Sequence, residues 1–461
     1  MRPVVTVAEM AALDARALET TPAEQLIEAA GTAVAHHVLD RFGSVAGRTI
    51  VVVAGKGSNG ADGRVAAKLL VEAGALVRTV DPSAGDADLA GADLVIDAAF
   101  GTGLSRDFLA PTPPAGAVVV AVDLPSGVDG DTGAVGGRAM AATTTVTMAS
   151  LKAGLLLGEG RRLAGEVTVA DIGIAVDPPR AALIEDDDLS ALPLRASDAH
   201  KWTTSVTVVA GAPGMEGAGA LSSLGALRAG AGMVRLIHPT TAASSPVAWP
   251  LELVRRPVAM EALAATAQEE TERSGALVVG PGLGATPSAH EAVRHLVADR
   301  RCPVVLDADG LGAVQGVAGL AELVAKGTAP VVITPHDGEL RRLLGGPVPD
   351  DRIACAVDLA EATGATVLLK GPTTIVASPE GGPSSVLLVT SGTQALATAG
   401  TGDVLAGIIA ALLATGLPPM LAAGLSAHLH GRAGASAEGV LIASELPALV
   451  GALIGEVRRG C

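Results

Sequence analysis

Residues 390–414 read TSGTQALATAGTGDVLAGIIAALLA: a polar turn, a glycine crook and a strongly apolar helical run. The crook is Ala399-Gly400-Thr401-Gly402, Asp403 follows at once, and the helix is expected over 404–413. A helix N-terminus presents unsatisfied N–H groups and the positive end of the helix dipole. Glycines let a phosphate or oxyanion reach that backbone with no Cβ in the way. An acid directly after them would be repelled by a bound phosphate, so it needs a reason to be there. Two readings of Asp403 stand at this level. It is a helix cap, or it is a general base aimed at a hydroxyl beside the phosphate.

Outward from the crook, the same half of the chain repeats one grammar: a short β-branched strand ending in a glycine- or acid-bearing loop. A strand at 206–210 runs into GAPGMEGAG at 211–219, then a small-residue helix at 220–229 and a strand at 233–237. Strands at 276–279, 304–306, 331–334 and 367–369 lead into Gly280-Pro-Gly-Leu-Gly284, Asp307-Ala-Asp309-Gly310, Pro335-His336-Asp-Gly-Glu339 and Lys370-Gly371-Pro372-Thr373-Thr374. The first half alternates likewise. Helices at 7–18 and 22–42 precede a strand at 49–54, the loop Gly55-Lys-Gly-Ser-Asn-Gly60-Ala-Asp62-Gly63 and a helix at 64–73. Strands at 77–80, 94–98, 118–123 and 167–172 follow. Alternating strands and helices predict α/β architecture, two doubly wound parallel sheets with sites at the carboxyl ends of the strands. The acidic run Glu185-Asp-Asp-Asp188 marks a shift in composition, and domains are expected over 1–190 and 196–461.

The chain has 461 residues, 49% of them hydrophobic, enough for two sizeable cores. Its net charge of −16 argues against a nucleic-acid or anionic-membrane surface. With Phe42, Phe100, Phe108, Trp202 and Trp249 as its whole aromatic stock, it lacks a base-stacking platform. Cys302, Cys355 and Cys461 show no disulfide or zinc spacing, which suits a reducing cytoplasm. The N-terminus carries no basic and apolar leader pattern, and no apolar run is long enough to span a bilayer.

Gly55, Gly57 and Gly60 satisfy GxGxxG after a strand, with Asp81 about 20 residues on, so a nicotinamide-dependent dehydrogenase is a rival reading. Against it, Asn59 and Asp62 bring polar side chains into the loop, and Asp97 and Asp123 end the next strands. Three convergent strand ends with oxygen donors suit a hard cation and sugar hydroxyls, although one such Asp would merely cap a turn. His336 is balanced between a structural and a functional role. Lys370 ends an apolar strand, where a charge calls for a phosphate or carboxylate nearby. The adjacent His36 and His37 read as surface.

These motifs together resemble the bifunctional NAD(P)H-hydrate repair enzymes. The first half carries AGTAVA, GKGSNGADG, DAAFGTGL and DLPSGVDGDTG; the second carries His200-Lys201, GMEGAGALSSLGALRAGAGMV, GPGLG, TPHDGE, KGPTT and ATAGTGDVLAGIIAALL. The resemblance implies a Rossmann-like epimerase domain followed by a ribokinase-like ADP- or ATP-dependent dehydratase domain. It implies that Ser58, Asn59, Gly60, Ala61 and Asp62 hold the hydrate with Gly101, Thr102, Gly103, Leu104, Ser105, Arg106, Asp107 and Asp123. Asn59, Asp97 and Ser126 are the implied K⁺ ligands. Asp123 becomes the acid/base, with Lys152 as its candidate partner. In the second half Ala218, Gly284, His336 and Asp403 would contact the hydrate. Lys370, Gly371, Pro372, Thr373, Thr374, Gly400, Thr401 and Gly402 would hold the nucleotide, with Mg²⁺ accompanying it and Asp403 as base. A homo-oligomer is expected. The glycine loop reads SNGADG where the family usually has NNGGDG, so a positive φ at Ala61 would cost about 1 kcal/mol. WTTS after His200-Lys201 and ATAGTGD in place of ATGGTGD are further departures. A ribokinase-like small-molecule kinase with an accessory domain, or a first domain that binds without catalysing, are the rivals.

Overall fold

The computed structural model describes residues 1–104, 107–193, 195, 197–240 and 249–460. The chain divides into two compact units, Arg2–Arg180 and Ala181–Cys461. The acidic run falls in the second unit, where Glu185 caps the 3₁₀ helix Asp186–Ala191. His428 Nε2 and Arg432 Nε lie 2.9 and 3.0 Å from Asp186 Oδ1.

The first unit holds a six-stranded parallel sheet in the order Glu166–Ala170, Thr144–Met148, Val118–Val122, Leu94–Ala98, Thr49–Ala54, Leu76–Val80. The strand Thr49–Ala54 shows why it forms. Ile50 and Val52 point to one face, where they pack with Val34, Val38 and Leu70 of the helices Ala23–Phe42 and Ser58–Glu72. Val51 and Val53 point to the other, against Val95, Ala121 and Met140. A strand buried on both faces reads as continuous aliphatic sequence because alternation has no solvent side to serve. From this strand the chain goes to Leu76–Val80 on one side and then to Leu94–Ala98 on the other. That reversal opens a crevice at the carboxyl ends of both strands.

The helix expected from residue 64 begins at Ser58, so SNGADG is its first turn rather than a loop. Close packing explains the glycines. A Cβ on Gly60 would lie 1.9 Å from the Gly55 carbonyl oxygen. Ala61 sits within this helix and is absent from the described non-glycine residues with positive φ, so it carries no left-handed strain. The strand Thr144–Met148 was not anticipated because three threonines mask it. Thr144 and Thr145 donate to the carbonyls of Glu166 and Ala164, each at 2.7 Å, and so lie buried without an unpaired hydroxyl. His37 is no free surface group: half-buried, its Nε2 lies 3.1 Å from Thr144 Oγ1.

The second unit's strands run in the order Val254–Val258, Met233–Pro239, Ser205–Val209, Ala276–Val279, Val304–Leu306, Val331–Ile333, Thr366–Leu369, Thr374–Ala377, Val386–Val389, Ala181–Leu183. Pairing is parallel except where Thr374–Ala377 runs antiparallel to both neighbours. This hairpin was not expected from the sequence. The helix Thr401–Leu413 is buried almost all round, which its apolar sequence requires. It lies tightly on the helix Glu216–Arg228: a Cβ on Gly407 would lie 1.9 Å from the Ser222 carbonyl oxygen. Among the described residues no helix is long and apolar enough to cross a membrane.

Candidate active sites

The crevice of the first unit opens into a cavity of about 490 Å³. Ser58, Asn59, Asp62, Gly101, Thr102, Gly103, Asp123 and Lys152 line it, while Gly60, Ala61, Leu104 and Asp107 do not. Asp107 instead sits against Gly136. Ser105 and Arg106 lie outside the described residues. Asp123 follows its strand with φ 67°, a left-handed conformation rare for a residue with a Cβ and one that gathers at functional sites. Its Oδ1 accepts from Lys152 Nζ at 2.6 Å, Thr147 Oγ1 at 3.1 Å and the Met148 amide at 3.3 Å. Its Oδ2 is left toward Gly101, where a Cβ would come within 3.0 Å. The Lys152 ammonium spends its other protons on Thr147 Oγ1 at 3.1 Å and the Met148 carbonyl at 2.8 Å. Only 1% of Lys152 is exposed.

Asp97 and Ser126 are fully buried beneath this cavity rather than lining it. Ser126 donates from Oγ to Asp97 Oδ1 at 2.6 Å and from its amide to Oδ2 at 2.8 Å. Burial pushes the Asp97 carboxyl above the usual carboxylate range in spite of these bonds. Asn59 Nδ2 is buried without a partner.

In the second unit the crook forms as expected. Gly400 is the N-cap at φ 93°, and the helix begins at Thr401. The cap reading of Asp403 therefore does not hold. Asp403 is the third helical residue, and no side chain caps this helix. Thr401 Oγ1 turns inward to the Leu396 and Thr398 carbonyls, and His430 Nε2 donates to the Thr401 carbonyl at 2.9 Å. Burial holds His430 down at about 4, so it props the crook as a neutral imidazole.

Opposite the crook, Lys370 Nζ donates to Asp307 Oδ1 at 2.8 Å and lies 3.9 Å from Glu339 Oε2. Burial would lower the Lys370 pKa, but Asp307 and Glu339 raise it overall. A Cβ on Gly402 would lie 3.5 Å from that ammonium, so crook and lysine face one another. Burial, then the Asp307 charge, pushes Asp403 up to about 7; Lys370 pulls the other way. Asp309 Oδ2 accepts from the Gly284 amide at 2.8 Å, and Gly282 abuts Ala218. Between the two acids Ala308 holds φ 52°, a second left-handed residue at a strand end. Gly371 abuts Arg352, Thr373 is buried, and Thr374 opens the next strand.

His336 proves to be a capping residue. Its Nδ1 accepts from the Gly338 and Glu339 amides, and its own amide donates to Glu339 Oε2 at 2.9 Å. It reaches the cluster through Glu339. The residues left unassigned by sequence reasoning are Asp307, Asp309 and Glu339 here, and Asp14 in the first cavity. The second-unit acids stand at strand ends or helix starts, the signal that could have found them. Asp14, on a surface-like amphipathic helix, gave none.

Comparison with known proteins follows this division. The family model for NAD(P)H-hydrate dehydratase matches residues 206–450, and that for the YjeF-related protein N-terminus matches 23–86 and 80–154. The bifunctional NAD(P)H-hydrate repair enzyme Nnr of Salinibacter ruber is 37% identical over 94% of this chain and 91% of its own. That of Mycobacterium leprae is 35% identical over 99% of both. The chain belongs to the bifunctional NAD(P)H-hydrate repair enzymes. As such it joins an epimerase unit to an ADP/ATP-dependent dehydratase unit. The dehydratase unit of this repair enzyme is similar to the ADP/ATP-dependent NAD(P)H-hydrate dehydratase of Bacillus subtilis, co-crystallised with ATP/Mg²⁺. The TM-score is 0.52 with 31% identity, over 59% of this chain and 97% of that one. A ribokinase-like protein of Enterococcus faecalis, 23% identical with a TM-score of 0.50 over 60% of this chain and 96% of its own, shares the fold. Family membership removes the dehydrogenase reading of GxGxxG in the repair enzyme.

Proposed function

We propose that Asp403 is the base of the dehydratase. The observation that carries this is its uncapped carboxyl beside Gly402, Lys370 and Asp307, poised at about 7. A base of that pKa accepts a proton near neutral pH and still ionises there. Asp403 takes the hydrate's hydroxyl proton, and the oxygen attacks the terminal phosphoryl of ATP or ADP, breaking its bond to the bridging oxygen and releasing ADP or AMP. The first-turn amides of Gly402 and Asp403, with Lys370, stabilise the charge on that phosphoryl group. The phosphate then leaves and a ring proton is lost, giving NAD(P)H. Lys370–Thr374 and Gly400–Gly402 hold the nucleotide, with Ala218, Gly284 and His336 toward the hydrate.

Magnesium suits this arrangement as a companion of the phosphates. Among the described residues no group of three or more His, Cys, Asp or Glu could hold an ion, and Mg²⁺ commonly relies on phosphates and water.

In the epimerase, Asp123 is the acid/base at the hydrated ring carbon. Lys152, with its protons all engaged, positions Asp123 rather than exchanging protons itself. The cavity-lining residues Ser58, Asn59, Asp62, Gly101, Thr102 and Gly103 hold the hydrate. Potassium would be held by oxygens of Asn59, Asp97 and Ser126: Asp97 is a buried carboxyl group with no cationic partner among the described residues, and the two neighbours add an amide and a hydroxyl oxygen. A cytoplasmic homo-oligomer completes the reading; free, buried Cys302 and Cys355 suit a reducing compartment, and light scattering tests the assembly.

The test is absorbance at the reduced-nicotinamide band with mixed R and S hydrates, Mg²⁺, K⁺ and ADP or ATP. Full recovery from both epimers is expected. Accumulation of a phosphorylated product without reduced nicotinamide would return the second unit to the kinases. Replacing K⁺ by Na⁺ should slow recovery of the R form alone.

A further inference from the structure

Four titratable side chains line the first cavity: Asp14, Asp62, Asp123 and Lys152. Lys152 and Asp123 are tied to one another at 2.6 Å. Asp14 and Asp62 are not tied to anything: among the described residues neither has a hydrogen-bond or ion-pair partner. Asp62 is 7% exposed and Asp14 half-buried. The helix Ala23–Phe42 turns only apolar side chains into the cavity, among them Leu26, Ile27 and Ala30. Arg64, on the same helix as Asp62, is turned out to the Gly55 carbonyl at 2.9 Å. Among the described residues that line the cavity, the one cationic side chain facing the three acids is therefore Lys152, already engaged.

We infer that Asp62 is the proton-bearing acid of the epimerase, and that Asp14, from the helix Val7–Leu18, is the anion that keeps the proton on it. Asp14 lies outside the segment matched by the family model, which starts at residue 23. A buried carboxyl with no donor and two anions beside it keeps its proton. Burial first, then Asp123 and Asp14, pushes Asp62 up to about 8. Burial also raises Asp14, with Lys152 opposing and Asp123 adding to the rise.

The inference rests on the epimerase reading. The hydroxyl-bearing carbon of the hydrate adjoins the ring nitrogen. Asp62 gives its proton to that hydroxyl, and the C–O bond breaks with its electron pair leaving on water. The nitrogen lone pair closes a C=N⁺ bond. Water returns to the other face, its oxygen forms the new C–O bond, and the C=N pair returns to nitrogen. Asp123 takes the proton that this water sheds, and its passage back to Asp62 closes the cycle without net oxidation.

The experiment measures R-to-S interconversion of NADH hydrate by the full-length enzyme between about pH 6 and 10, with the calorimetric unfolding transition of the first unit as the check on folding. Wild-type rate should fall as pH rises through about 8. Asp14→Asn should move that alkaline limb down by roughly half a unit to one unit, since one anion fewer faces Asp62. Asp62→Asn should lose about 10²- to 10⁴-fold and show no alkaline limb. An unmoved limb in Asp14→Asn overturns the inference, and that variant decides even if Asp62→Asn fails to fold. A wild-type enzyme that interconverts nothing overturns the epimerase reading beneath it.

Discussion

Asp403 stands in the first turn of a buried helix, where a carboxylate is favoured by the dipole, and yet no side chain caps that helix. Burial and the Asp307 charge oppose its ionisation, while Lys370 favours it. A base works only when unprotonated, so the dehydratase rate should climb with pH and level off above about 7. Asp403→Asn should lower dehydration by roughly 10²- to 10⁴-fold while epimerisation continues; equal dehydration would remove Asp403 from the mechanism. Lys370→Met should shift the acid limb upward, because the cation that helps Asp403 ionise is gone. A kcat/KM profile against pH in saturating nucleotide reads both variants. A limb that stays put in Lys370→Met would mean that another group titrates.

The element scale shows what the sequence could and could not tell. The crook 399–403 was legible because glycine, helix start and acid each have one strong local meaning. Strands such as Thr49–Ala54 were legible because burial on both faces leaves unbroken aliphatic runs. The first turn of Ser58–Glu72 was not, because its glycines serve close packing, Gly60 against the Gly55 carbonyl and Gly63 against Ala98, rather than turn geometry. Nor was the role of His336, since a histidine cap looks like a catalytic loop histidine until its Nδ1 partners are known. Asp14 was hidden for the same reason: only the fold brings it to Asp62 and Asp123. The glycines of Glu216–Arg228 and Thr401–Leu413 turn this distinction into a measurement. Gly407→Ala forces a Cβ against the Ser222 carbonyl and should cost about 3 kcal/mol, lowering the thermal midpoint of the second unit by roughly 6–12 °C. Gly217→Ala meets open space and should be neutral or gain up to about 1 kcal/mol. Calorimetry distinguishes the two, and equal midpoints would contradict the close approach of these helices.

At the scale of the whole molecule, each site draws its side chains from one unit. Asp14, Asp62, Asp123 and Lys152 belong to Arg2–Arg180; Asp307, Glu339, Lys370 and Asp403 belong to Ala181–Cys461. The side chains named for each site thus fall within one unit, so the two activities should separate cleanly by mutation. Asp123→Asn keeps a hydrogen-bond acceptor for Lys152, which retains Thr147 Oγ1 and the Met148 carbonyl, but it removes the anion paired with a buried ammonium and should lower the stability of the first unit. This variant should recover reduced nicotinamide from the S hydrate alone. Asp403→Asn should interconvert the epimers and recover none. Mixed in equal amounts, the two variants should recover nicotinamide from both epimers, because the S hydrate made by one chain can reach the dehydratase of another through solution. Raising the concentration of the epimerising partner should raise the rate of R recovery in proportion until dehydration limits. If the mixture recovers the R form clearly more slowly than wild-type enzyme at the same concentration of each working site, part of the hydrate passes between the sites of one chain without release.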